Sequence, residues 1–199
     1  MKIQESEFER LKAIFIAIIV GSSLFYLIVG LDSLWVKNIS WLQEGDQLTH
    51  YFGWQFYRNS PWSFPIGLNP AYGGNITNTI VYTDSIPLMA IPLKLLTQYL
   101  PIQFQYFGIW NLLCFCCVAY FSFRIMQSKG YGFLIQLLVA GLLMFSPPML
   151  FRIGWHAALI SHFFILGSIY LLIQRNSVKG NLVRWTILLL LSVLTQPYI

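Results

Sequence analysis

The stretch EGDQLTHYFGWQFYRNSPW, Glu44 to Trp62, puts acids, a histidine and an arginine among aromatic residues in a chain otherwise poor in charge. Asp46, His50, Trp54 and Arg58 recur every four residues, so a helix over 47–58 would align them on one face. Leu48, Tyr51, Phe52 and Phe56 would then favour another face. A carboxylate beside an imidazole can act as a general base or ligate a cation. The same residues have plainer uses: Asp46 follows Gly45 as a helix N-cap would, and His50 could be an interfacial side chain.

Two further groups carry chemistry. Asp84, in YTDSIPL, is a second candidate carboxylate, and also a candidate cap for a helix over 85–96 with Pro87 in its first turn. Arg152 and His156, in RIGWHAAL, are four apart and share a face if helical; guanidinium is suited to bidentate phosphate recognition. Interfacial anchoring and packing are the plainer roles of this pair. His162 lies deeper and reads as an interhelical hydrogen bonder. Cys114, Cys116 and Cys117 do not gather on one helix face, so they read as small apolar packing residues rather than metal ligands. Two glycosylation-type triplets, at 38–40 and 75–77, are no more than chance supplies in a chain of this length.

These residues need a frame, and composition says which. The chain has 199 residues, 57% hydrophobic and only 10% charged, against about 25% charged in soluble domains. That is a membrane protein. Its net charge of +5 comes from 12 Lys and Arg scattered over short loops, a pattern of topology rather than of nucleic-acid binding. The expected layout is a cytoplasmic tail over 1–12, a membrane helix over 13–31, an outer loop over 32–101, and further spans at about 102–124, 131–151, 154–174 and 183–199. The apolar run there, from Trp185 to the chain end, reaches only about 22 Å at about 1.5 Å per residue, so the chain reads as the front part of a larger protein. The first run is longer than a signal peptide and lacks its cleavage pattern, so it reads as a retained anchor.

The segment SIPLMAIPLKLL, 85–96, decides the topology. If it does not cross, eight Lys and Arg lie inside and four outside; if it crosses, the inner count falls to four and Lys94 sits in the bilayer. It therefore reads as re-entrant or interfacial, leaving one large non-cytoplasmic loop. All seven acids precede residue 85. Proton-coupled carriers place carboxylates within their spans, so this pattern argues against one.

Five stretches in order, GDQLTHYFGWQFYR, WSFPIGLNPAYGG, TIVYTDSIPL, QFQYFGIWNLLCF and SPPMLFRIGWHAALISHF, resemble successive signatures of a bacterial membrane-protein family related to the GT-C glycosyltransferases. The resemblance runs from about residue 45 to the chain end. It implies an all-α polytopic membrane protein of the bacterial cytoplasmic membrane, with a cytoplasmic N-terminus and a large first outer loop bearing amphipathic surface helices. It also implies transfer of a hexose or pentose from a polyprenyl-phosphate donor to a glycan, lipid or protein acceptor. Asp46 matches the first-loop acid that would act as base, with Asp84 as the second catalytic candidate. His50, Arg58, Arg152 and His156 become substrate-binding candidates, the last two at the phosphate. Two carboxylates and a histidine could also hold magnesium or manganese against that phosphate. The alternatives are a non-catalytic membrane component that binds or moves a lipid-linked glycan and, less favoured by the missing acids, an ion-coupled transporter.

Overall fold

The computed structural model describes residues 7–74, 76–153, 155–174 and 178–197. Part of the expected cytoplasmic tail (1–6), Asn75 of the second triplet, and Arg175 of the basic count lie outside the described residues. Among those described, the fold is mostly helical, with α1 (Glu7–Ile28), α2 (Gly45–Asn59), α3 (Pro87–Leu95), α4 (Phe107–Ser128), α5 (Phe133–Met144), α6 (Pro147–Ile153), α7 (Phe163–Ile173) and α8 (Val178–Thr195). A two-residue antiparallel ladder joins β1 (Leu68–Asn69) to β2 (Asn78–Thr79).

Among the described residues, two helices are long and apolar enough to cross a membrane: α1, through Phe8–Ile28, and α4, through its 22 residues. At about 1.5 Å per residue each covers roughly 30 Å of hydrocarbon. They pack closely because Gly21 brings the two backbones together; a Cβ there would lie 2.6 Å from Cys116 Cα. Small residues at such crossings let dispersion contacts form along both helices. All three cysteines are free thiols, and Cys114 is buried in the core.

The expected spans over 131–151 and 154–174 are both interrupted. The first breaks between α5 and α6 and bends by 49°. Pro147 and Pro148 open α6, where a missing backbone N–H costs nothing because the first turn has no intrahelical acceptor for it. In the second, regular helix is confined to α7, preceded by a 3-10 turn at Ala158–Ile160. The backbone of 155–160 is thereby released to bond elsewhere: Trp110 Nε1 donates to the Ala157 carbonyl at 2.9 Å.

The segment between α1 and α4 folds over one end of the bundle. Gln105 ties its two ends together, donating from its backbone to Val36 O at 2.8 Å and from Nε2 to Ser33 O at 2.7 Å. The α3 helix is nine residues long, too short to cross a bilayer. Its Lys94 is tolerated in an apolar segment because Nζ sits 4.0 Å from the Tyr57 ring centre and 4.7 Å from that of Trp62, and donates to Pro61 O at 3.3 Å. Burial pushes the Lys94 ammonium below its usual range and the Tyr57 phenol up to about 12.

The face of α2 that carries His50, Trp54 and Arg58 is the buried one. Asp46 is exposed, but His50 (4% exposed), Trp54 (0%) and Arg58 (6%) point inward, whereas Phe52 and Phe56 on the other face are each 42% exposed. The cause is the irregular backbone beneath: its carbonyls need donors, and imidazole, indole and guanidinium supply them. Trp54 Nε1 donates to Phe104 O at 3.0 Å, for example. A polar stripe on an aromatic helix was in this case a row of donors for the interior.

Candidate active site

Asp46 begins the site, though not as a cap. The α2 helix starts two residues earlier than expected, with Glu44 at the N-cap position and no side-chain capping bond. Gly45 turns the chain into the helix at φ +57°, a conformation that favours glycine. Asp46 thus stands in the first turn, where the helix dipole favours a carboxylate and its side chain stays free to face outward.

Asp84 does not cap α3 either. The N-cap position belongs to Ile86, and no side chain caps the helix. Asp84 and Ile86 are the two non-glycine residues described with positive φ, at 53° and 49°. A left-handed isoleucine is uncommon, and such backbone costs on the order of 1–3 kcal/mol per residue, so the surroundings must impose it. They do so through Ser85, whose N–H donates to Ile80 O at 3.0 Å and whose hydroxyl donates to His50 O at 3.0 Å. The Tyr106 hydroxyl donates to Ser85 O. Asp84 is consequently turned away from α3 and toward α2.

Gly53 makes that approach possible. A Cβ at this position would fall on the Thr83 side chain and 2.6 Å from Ser85 Oγ. Gly53→Ala is therefore expected to push α2 from the Asp84 turn and cost about 1–3 kcal/mol, as overpacking does. Thermal unfolding in detergent measures this; an unchanged melting temperature would show that the turn has room to yield.

Four of the six residues singled out from the sequence converge here. Asp84 Oδ2 lies 3.9 Å from His50 Nε2 and 3.7 Å from His156 Nδ1. On the far side of the same ring, His156 Nε2 lies 3.9 Å from Asp46 Oδ2. His156 therefore stands between a buried carboxylate and an exposed one. Burial pushes the Asp84 carboxyl above its usual range, against the attraction of His50 and then His156, while the nearby Asp46 charge adds to the rise.

His50 is fixed by backbone at both nitrogens: Nδ1 is 2.8 Å from Thr83 O and Nε2 is 2.9 Å from Trp155 O. The second contact exists because the expected helix is broken at this level. Arg152 sits one turn before His156, its carbonyl accepting the His156 N–H at 3.0 Å. With Pro147, Pro148, Phe151, His156 and Leu159 it lines an open cleft of about 610 Å³. The walls are mostly apolar, with one guanidinium and one imidazole.

Arg58 is not part of this group. Its guanidinium donates to the carbonyls of Thr97, Leu100, Pro101 and Ile102, between 2.9 and 3.5 Å. It holds the 97–102 segment together rather than facing the cleft. Two residues that sequence reasoning passed over do belong to the site. Gln196 Nε2 donates to Asp84 Oδ1, bringing the end of α8 to the carboxylate, and Gln47 Nε2 donates to Ile153 O at 3.2 Å. An amide following an apolar run, just before Pro197, was the available signal for Gln196.

No curated protein and no solved structure is similar to the chain. Residues 18–199 match the family model described as a domain of unknown function, DUF6311, and the chain belongs to that family.

Proposed function

We propose that this chain is the catalytic part of a polytopic GT-C-type glycosyltransferase of the bacterial cytoplasmic membrane, acting on a polyprenyl-phosphate sugar at the outer face. The observation that carries the reading is the meeting of Asp46, Asp84, His50 and His156 beside an apolar cleft with Arg152 on its wall. An isoprenoid chain suits the apolar walls, and its phosphate suits the guanidinium.

In this reading Asp46, the carboxylate open to solvent, takes the proton of the acceptor hydroxyl. The acceptor oxygen forms its bond to the anomeric carbon as that carbon's bond to the phosphate oxygen breaks. Polyprenyl phosphate leaves with the bonding pair, and Arg152 together with His156 steadies its charge. The configuration at the anomeric carbon inverts because attack and departure occur on opposite faces. Asp84 and His50 position His156 rather than meeting the acceptor.

The test is lipid turnover. The complete purified protein, given a panel of polyprenyl-phosphate hexoses and pentoses with crude envelope acceptors, is expected to release polyprenyl phosphate from at least one donor. A protein that binds these lipids and turns over none across the panel is a carrier or accessory component, and the transferase reading fails.

A further inference from the structure

We propose that His50, Asp84 and His156 form a binding site for one divalent transition-metal ion of the zinc type. Each residue presents one donor atom, and the three lie within 4.8 Å of one another. Both rings also have an oxygen partner on the nitrogen turned away from Asp84. With Nδ1–H donated to Thr83 O at 2.8 Å, His50 keeps a lone pair on Nε2, which lies 3.9 Å from Asp84 Oδ2 as well as 2.9 Å from Trp155 O. His156 faces the Asp46 carboxylate with Nε2 and turns Nδ1 toward Asp84 Oδ2. Imidazoles that ligate metals are characteristically oriented in this way, by a carbonyl or carboxylate behind the ring.

The electrostatics call for a positive centre. Both His50 nitrogens lie against carbonyl oxygens, at 2.8 and 2.9 Å, and a neutral ring can donate to only one of them. At the other, lone pair meets lone pair. Asp84 Oδ2 and His156 Nδ1 add two more acceptors to the same space. Gln196, only 5% exposed, donates to Asp84 while its own Oε1 is buried without a hydrogen-bond partner. A second proton on His50 would satisfy the His50 contacts alone. A cation among the three donors serves the inward nitrogen of His156 as well.

Donor type narrows the ion. Two imidazoles and one carboxylate suit zinc and its first-row neighbours, whereas magnesium and calcium seek oxygen ligands throughout. Three protein ligands with a remaining open position is the pattern of zinc sites that meet a substrate, and closed structural sites use four. The half-exposed His156 is the ligand that can draw inward most easily, with 42% of its side chain accessible. This inference does not depend on the transferase reading.

The experiment is metal binding by the complete protein in detergent, stripped with chelator and then equilibrated with zinc, manganese or magnesium. Mass spectrometry is expected to find about one zinc per chain, and zinc but not magnesium should raise the melting temperature, as a ligand of the folded state does. His156→Gln, at the half-exposed position, should keep the fold and lower zinc affinity by about tenfold or more. Wild-type protein without stoichiometric zinc, or His156→Gln with undiminished affinity, overturns the site. Bound zinc in a protein that transfers no sugar supports the site and removes the transferase reading; transfer by a protein that binds no zinc does the reverse.

Discussion

Asp46→Asn is expected to lower sugar transfer by about 100- to 10,000-fold, the usual worth of a positioned general base, while the protein melts as wild type does. The expectation follows from where the carboxylate stands. Asp46 lies in the first turn of α2, exposed, with no capping bond to lose, and its partner is the half-exposed ring of His156. Asparagine keeps the shape and removes the proton acceptor. The loss of helix-dipole stabilisation costs at most about 1 kcal/mol at such a site, too little to unfold the loop. Asp84→Asn would be a poorer probe, because Asp84 is buried, bonded to Gln196 and held on a left-handed backbone, so activity and folding would fall together. The rate should be read at saturating donor, since a base acts in the transition state and its loss lowers kcat more than it raises KM. Undiminished transfer by Asp46→Asn would assign the proton to another group.

The same site shows what periodicity can and cannot reveal. The i,i+4 spacing of Asp46, His50, Trp54 and Arg58 correctly gave a helix and a common face, since 3.6 residues per turn is a property of the backbone alone. It could not say which way that face points. An indole or a guanidinium can face water or satisfy buried carbonyls, and the choice lies in residues 97–104, about forty positions away along the chain.

Asp84 illustrates a different limit. Its neighbourhood, with Pro87 three residues on, has the form of a helix start, and α3 does begin at Pro87. The turn that aims Asp84 at His50 and His156 depends on the bond from Ser85 to the His50 carbonyl, on Tyr106 and on the absence of a side chain at Gly53, partners that are distant in the chain. Apolar length likewise announced α1 and α4, because crossing hydrocarbon is a matter of length and composition. It missed the breaks around 145–162, where prolines and polar residues divert backbone toward the site. Those breaks place the Trp155 carbonyl and the Arg152–His156 pair beside α2.

Arg58→Lys will separate the two roles that this arginine could hold. As a phosphate contact, lysine would keep the charge, leave stability alone and raise KM for the donor. As the structure places it, Arg58 spans four carbonyls between Thr97 and Ile102, with its guanidinium 5.5 Å from the Trp54 ring centre and 5.9 Å from that of Phe104. A planar fork can reach carbonyls on both sides of that turn; an ammonium is a point charge on a thinner stem and cannot. Hydrogen bonds to charged groups are each worth about 1.5–3 kcal/mol, and an unsatisfied buried carbonyl costs about 1–3 kcal/mol. Arg58→Lys is therefore expected to lose about 2 kcal/mol, and Arg58→Met, which abandons every carbonyl, about 3 kcal/mol or more. Denaturant titration in detergent reads both, with Trp54 fluorescence reporting the loosening of the segment it is bonded to. Because Asp46 and His156 lie three turns of α2 away, donor KM at a temperature where the variant remains folded should change little. A lysine variant that melts normally yet needs far more donor would return Arg58 to the phosphate and leave 97–102 to be held by Trp54 and Gln55, which both donate to Phe104 O.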